Sequence, residues 1–338
     1  MGNNIIYVVS ILILGAIFSS CSENLSTPAS TTIEFTPAST VEPTPAAGDT
    51  RISKIDGMQM VYVSAGDFLM GNNNGAIEER PEHTVYLDGF WIDKTEVTNA
   101  MFLEFLKDKG DAIAAEEQVS LLDYSTGGSI HKDGDMWKID TGYENYPVVN
   151  ETWFGASFYC QWAERDLPSE TQWEKAARGT DGRLYPWGNN FDCRNGNFDD
   201  ETLIDIFTVQ GGPSCDGFSE TAPVGRFPNG ASPYGALDMA GNAWEWVNDQ
   251  YSYSYNGYDE QPAIIPTALT ADELFASAED GSIPEAFMDS LMEPDQYRFM
   301  RGGSWFSDET TVTTTVRDWN HILESTYTYL GFRCSITP

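Results

Sequence analysis

The sequence predicts an α+β fold of short strands and few helices, with much irregular backbone. Three observations carry this reading. Short β-rich runs such as Met60-Val61-Tyr62-Val63 and Phe90-Trp91-Ile92 are closed by turn residues. Helical periodicity is confined to a few brief segments, each with its own start signal. Between Tyr185 and Trp246 the chain is Gly, Asn, Pro and aromatic residues with no sustained period.

In chain order, Ile5 to Phe18 is an apolar run too short for a comfortable membrane span. Ser19-Ser20-Cys21 follows, small residues leading into a cysteine. Residues 1–20 resemble a bacterial lipoprotein signal, which implies lipidation at Cys21 and an exported chain on a membrane or cell surface. An ordinary secretory signal is the alternative. Ile6 stands where a myristoylation motif requires Ser or Thr, so that modification is excluded. Residues 21–50 are rich in Ser, Thr and Pro and too poor in large apolar groups to fold, so they read as an extended tether.

The folded body spans 51–338. Met60–Val63 and Phe68–Gly71, joined by Ser64-Ala65-Gly66-Asp67, are predicted to form a hairpin. His83–Leu87 and Phe90–Ile92 are further strands. Thr98 is the expected N-cap of a helix that places Phe102, Phe105 and Leu106 on one face. Residues 108–145 are acidic and expected to be an irregular insertion. Ala156, Phe158, Tyr159, Trp162 and Ala163 repeat at helical spacing. A third helix starts at Ser169, whose partner three residues on is Gln172, a capping box. Residues 256–297 read as a second acidic insertion.

Charge narrows the function classes. A net charge of -34 argues against nucleic acid and against anionic membrane surfaces, leaving a lipid anchor as the expected membrane contact. His83, His131 and His321 lack ligand spacing, which argues against a histidine-built zinc or iron site. With Cys21 set aside, Cys160, Cys193, Cys215 and Cys334 are an even set in an exported chain. They predict two disulfides, with three connectivities open.

Leu237-Asp238-Met239-Ala240-Gly241-Asn242-Ala243-Trp244-Glu245-Trp246 is the stretch richest in chemistry. A buried carboxylate between two indoles must be paired, hydrogen-bonded or metal-bound. The stretch reads as a buried turn that gathers Asp238, Glu245 and backbone carbonyls, an oxygen-only set suited to a hard cation. The alternative is a Trp-rich turn whose Glu merely accepts hydrogen bonds. Asp308, Glu309, Arg317, Asp318 and His321 form a second polar group, expected to be a solvated loop.

Seven signposts occur in order. They are Met60–Gly66 with Phe68–Gly71, Glu96-Val97-Thr98-Asn99, Leu167–Glu174, Tyr185-Pro186-Trp187-Gly188, Gly241–Trp246, Arg301-Gly302-Gly303-Ser304-Trp305 and Leu330-Gly331-Phe332-Arg333. In them the chain resembles the formylglycine-generating enzyme family, the sulfatase-modifying factors. The resemblance implies a single domain with a complex C-type-lectin-like fold and bound calcium. It implies one calcium at Asp238, Gly241, Ala243 and Glu245, and another at Asn197, Phe198, Asp216 and Phe218. It places Cys160 and Cys334 at a family bridge; exclusion and a short loop then pair Cys193 with Cys215.

Members of that family oxidise a cysteine of sulfatases to formylglycine with two cysteines that follow Gly-Gly-Ser. Ser304 matches the motif serine, but Ser307 and Val312 occupy the cysteine positions. Neither supplies the soft sulfur that copper(I) needs, so copper is not expected. The expectation is a surface-anchored, calcium-stabilised binding or structural module for an extracytoplasmic protein or glycan. A formylglycine-generating oxidase or related oxidoreductase is the alternative.

Overall fold

The chain divides into two units, Met1–Pro43 and Thr44–Pro338. The computed structural model describes residues 44–199, 215–250, 255 and 297–337, all in the second unit. The signal segment, Cys21, most of the tether and residues 256–296 of the second acidic stretch lie outside the described residues.

Strands β1 (Thr50–Ile52), β2 (Gln59–Val63), β3 (Gly66–Met70), β4 (His83–Leu87) and β5 (Phe90–Asp93) come first. Helices α1 (Asn99–Phe105) and α2 (Asp111–Glu117), strands β6 (Ile130–Asp133) and β7 (Met136–Ile139), and helices α3 (Trp153–Trp162) and α4 (Glu170–Arg178) follow. Strands β8 (Trp244–Gln250), β9 (Tyr297–Arg301), β10 (Arg317–Ile322), β11 (Leu330–Phe332) and β12 (Ser335–Ile336) complete the body. One sheet has the order β1-β2-β5-β12, and a second β10-β9-β8-β11, in which β11 runs parallel to β8.

Period-two alternation explains why β2 is central. Met60 and Tyr62 face a core with Trp91, Phe102, Phe105, Tyr159 and Phe332. Val61 and Val63 face another with Phe90, Ile92, Trp173, Val247 and Phe299. With both faces covered, β2 takes neighbours on both edges, β1 and β5. The expected hairpin between β2 and β3 therefore does not form. The chain turns through Gly66, at φ +134°, and β3 pairs with β4 instead.

The stretch 108–145 is more regular than expected. A wide turn at Leu106–Gly110 leads into α2, and β6 and β7 form a hairpin around Gly134. Ile130 is buried in the first core, and Trp137 and Ile139 pack against it, which anchors the hairpin. Asp133-Gly134 between alternating residues was the available signal.

The N-caps hold as expected. Thr98 accepts from Met101 N, and Ser169 and Gln172 close a capping box on α4. Helix α4 is buried on several sides and carries charge inward. Glu170 meets Arg301 and Arg317; Glu174 meets Arg301 and Arg178. Arg317 is thus a buried strand residue rather than part of a solvated loop, because Glu170 requires its charge. Both bridges are present: Cys160–Cys334 ties α3 to the segment between β11 and β12, and Cys193–Cys215 closes a local loop. Among the described residues no helix is long and apolar enough to cross a membrane.

Candidate functional site

Trp244, Glu245 and Trp246 do not lie in the turn, contrary to expectation; they open β8, between β9 and β11. The turn itself is Asp238–Asn242, with Asp238, Gly241 and Asn242 at φ +56°, +80° and +65°. Left-handed backbone is uncommon for residues other than Gly, and Asn and Asp tolerate it best. A Cβ on Gly241 would fall 2.3 Å from the Asn197 carbonyl oxygen, so close approach of two backbones requires glycine there.

Glu245 is fully engaged. Arg333 donates Nε to Oε2 and Nη2 to Oε1, each at 2.6 Å, and Trp173 Nε1 donates to Oε2 at 2.8 Å. Asp238 Oδ2 accepts from Gly225 N at 2.6 Å. Glu96, which the sequence reading left out of the site, joins them: Asn242 Nδ2 donates to its Oε1 at 2.8 Å. No N–H donor reaches Glu96 Oε2, although the residue is wholly buried; the Glu96 carboxyl hydrogen-bonds the Asp238 carboxylate instead. Burial, then repulsion from Asp238 and Glu245, holds the Glu96 carboxyl well above the usual range. Burial raises Asp238 as well, against the hydrogen bond from Gly225. Three buried carboxylates thus face one nearby guanidinium, that of Arg333.

The second predicted set adjoins the first. Asn242 N donates to the Asn197 carbonyl at 2.9 Å, and Asn197 Nδ2 donates to Asn242 Oδ1 at 3.1 Å. Asn242 therefore bridges Glu96 and Asn197. Asn197 is fully buried and its Oδ1 meets no donor. Asp216 accepts from Phe198 N and Phe218 N, which draws these three predicted residues together.

Their chemistry can be tested against a hard cation. An orphaned buried amide oxygen beside an Asp fits one at the Asn197 set. At the other set Glu96 is hydrogen-bonded to Asp238, and Glu245 is turned to Arg333. Among the described residues, no three His, Cys, Asp or Glu side chains converge into a ready metal cage. Carbonyls would have to complete either set.

The third place of interest is the loop after β9. Ser304 N donates to Ser307 Oγ at 3.0 Å and Ser307 N to the Ser304 carbonyl at 3.0 Å, a tight local turn. Ser304 Oγ is buried with no partner. Val312 is buried with Tyr185, Phe198 and Ala240. A Cβ on Gly303 would lie 2.6 Å from Val312 Cγ1 and 3.3 Å from Ser307 Cβ, so both side chains close on one glycine. Asp308 is tied to Thr310 and Thr311 of its own loop and does not gather with Arg317; the side chain of His321 lies outside the described residues.

A family model described as the sulfatase-modifying factor enzyme 1-like domain matches residues 48–338. The chain belongs to this family. It is 36% identical over 265 residues to the formylglycine-generating enzyme of Streptomyces coelicolor, covering 68% of this chain and 79% of that one. It is 33% identical over 282 residues to the serine/threonine-protein kinase Pkn1 of Chlamydia trachomatis, covering 82% of this chain. The chain spans 38% of the length of that relative. Among solved structures, PvdO from Pseudomonas aeruginosa superposes with a TM-score of 0.59 at 22% identity, covering 86% of this chain and 99% of that one. That likeness concerns the fold alone. The sulfatase-modifying-factor fold read from the seven signposts is therefore the fold of this chain.

Proposed function

We propose that the chain is a non-catalytic, calcium-stabilised member of the sulfatase-modifying factor family. It acts as a binding or structural module outside the cytoplasm, held there by lipid at Cys21. The observation that carries this reading is the state of positions 307 and 312. Ser307 is engaged by the Ser304 amide, and Val312 is a core residue. A hydroxyl is a hard, weakly acidic ligand and an isopropyl group is none, so copper(I) has no thiolate pair there. The four cysteines of the body are consumed in disulfides, which leaves no free thiol near the loop. Asn197 Oδ1, buried without a donor, supports structural calcium.

The test is direct. A sulfatase-type cysteine peptide incubated with the purified, copper-loaded protein should keep its thiol by mass spectrometry. Gain of the hydrated aldehyde, dependent on this protein, would overturn the non-catalytic reading in favour of the oxidase.

A further inference from the structure

A shallow, open cavity of about 550 Å³ lies on the surface beside the loop that carries Ser307 and Val312. Asn72, Asn189, Asn190 and Glu309 line it, and the rings of Tyr185 and Phe191, 5.6 Å apart, form part of its wall. Its size falls within the usual range of small-molecule sites.

Backbone or side-chain bonds anchor each polar residue while leaving it hydrogen-bonding capacity. Trp187 Nε1 donates to the Asn190 carbonyl at 2.9 Å, fixing the backbone and leaving the side-chain amide open. Asn189 Oδ1 accepts from Leu184 N and Asn72 Oδ1 from Asn74 N, so each keeps its NH2. Tyr185 donates its hydroxyl to the Glu309 carbonyl at 2.9 Å, which secures that residue without using its carboxylate. Tyr185 itself is braced by Trp187, stacked at 5.3 Å and 8°.

We infer that this cavity is a binding site for a neutral saccharide. Three amides and the Glu309 carboxylate offer both donors and acceptors, as vicinal hydroxyls require; a second carboxylate in the lining, Glu79, is already engaged by Ala76 N and Thr315 Oγ1. Of the two rings, Tyr185 is buried and stacked on Trp187, while half-buried Phe191 offers an apolar surface to the C–H face of a pyranose. No lysine or arginine lines the cavity, and Glu309 repels negative charge, which disfavours anions. The amides, each of which would be desolvated at a cost, disfavour a purely apolar ligand. A cation would use Glu309 and Asn190 Oδ1, but Asn72 and Asn189 have their oxygens engaged by backbone N–H groups and turn NH2 groups to it. This inference rests on the binding-module reading and names its ligand class.

The experiment is saturation-transfer-difference NMR on the full body. The probes are glucose, galactose, N-acetylglucosamine, cellobiose and lactose, with oligolysine as the cationic arm. Asn190→Ala and Glu309→Ala are compared with the parent, and equal thermal midpoints establish that the variants are folded. At least one neutral sugar should bind, about tenfold weaker in each variant, as loss of a ligand hydrogen bond predicts. No sugar signal, or a signal unchanged in both variants, overturns the inference. So does binding of oligolysine alone that is lost in Glu309→Ala. The peptide assay above separates the two failures: no aldehyde with no sugar bound sinks the saccharide site alone, whereas aldehyde formation sinks the binding-module reading.

Discussion

Arg333 grips Glu245 through two parallel hydrogen bonds of 2.6 Å, and both side chains are buried. The same guanidinium donates to the carbonyls of Asp93 and Leu237. Removing it strands a carboxylate in the centre of the second sheet. Arg333→Met should cost about 3–5 kcal/mol, the usual result of breaking one side of a buried pair. Urea denaturation measures it. A loss within about 0.5 kcal/mol, as for an exposed substitution, would refute the role given to this pair.

Calcium should raise the thermal midpoint, and a chelator should lower it. A ligand that binds only the native state adds about 2.7 kcal/mol at a hundredfold excess over its dissociation constant. Asn197→Ala removes the orphaned oxygen and should shrink the calcium-dependent shift. Identical midpoints in calcium and chelator would count against both cation sets.

Glu151 is a buried carboxyl group without a charged counterpart. It is fully buried, and neither oxygen meets a donor. Burial alone holds its carboxyl well above the usual range, with no charged neighbour contributing. The folded state therefore keeps this proton at pH values where the unfolded chain has lost it. Its contribution to stability is fully present below the unfolded pKa and is lost as pH rises toward the folded one. Glu151→Met keeps the volume and removes two unsatisfied acceptors. It should stabilise the protein by about 1–3 kcal/mol at neutral pH and flatten the decline from mildly acidic to alkaline pH. Denaturation midpoints taken across that range would show whether the two profiles differ; coincident profiles would contradict the prediction.

Ser307→Cys with Val312→Cys should create a copper(I) site, because both side chains close on Gly303. Competition with a chromophoric chelator should find binding in the double variant and none in the parent. A folded double variant that takes no copper would show that the geometry, and not only the chemistry, has changed.

Much of this was legible in the sequence because the signals are local. Ser169 and Gln172 are three apart, and their capping box formed as read. The strand runs, the third helix and the Asp238–Glu245 stretch were found in the same way. What escaped were partners set by tertiary contact. Asn242 reaches Glu96 across 146 positions and Arg333 reaches Glu245 across 88, so no window contains both members. The pairing of β3 with β4 escaped for a related reason. Period two shows that Met60–Val63 has two faces, but not that two separate cores wait to cover them.

The order in which this body is made differs from the order in which its parts support one another. Strand β12 completes the first sheet against β5, β11 completes the second against β8, and Cys334 locks to Cys160. All three lie in residues 330–336, which a ribosome adds after every other described element. Until then β5 and β8 each lack a neighbour, and Glu245 lacks Arg333. Contacts of such long sequence separation slow folding and leave sheet edges open to other chains in the interval. A partly folded chain in which residues 330–336 have not yet docked is thus the form most open to aggregation and proteolysis, and a chaperone that shields β5 and β8 would act on that form.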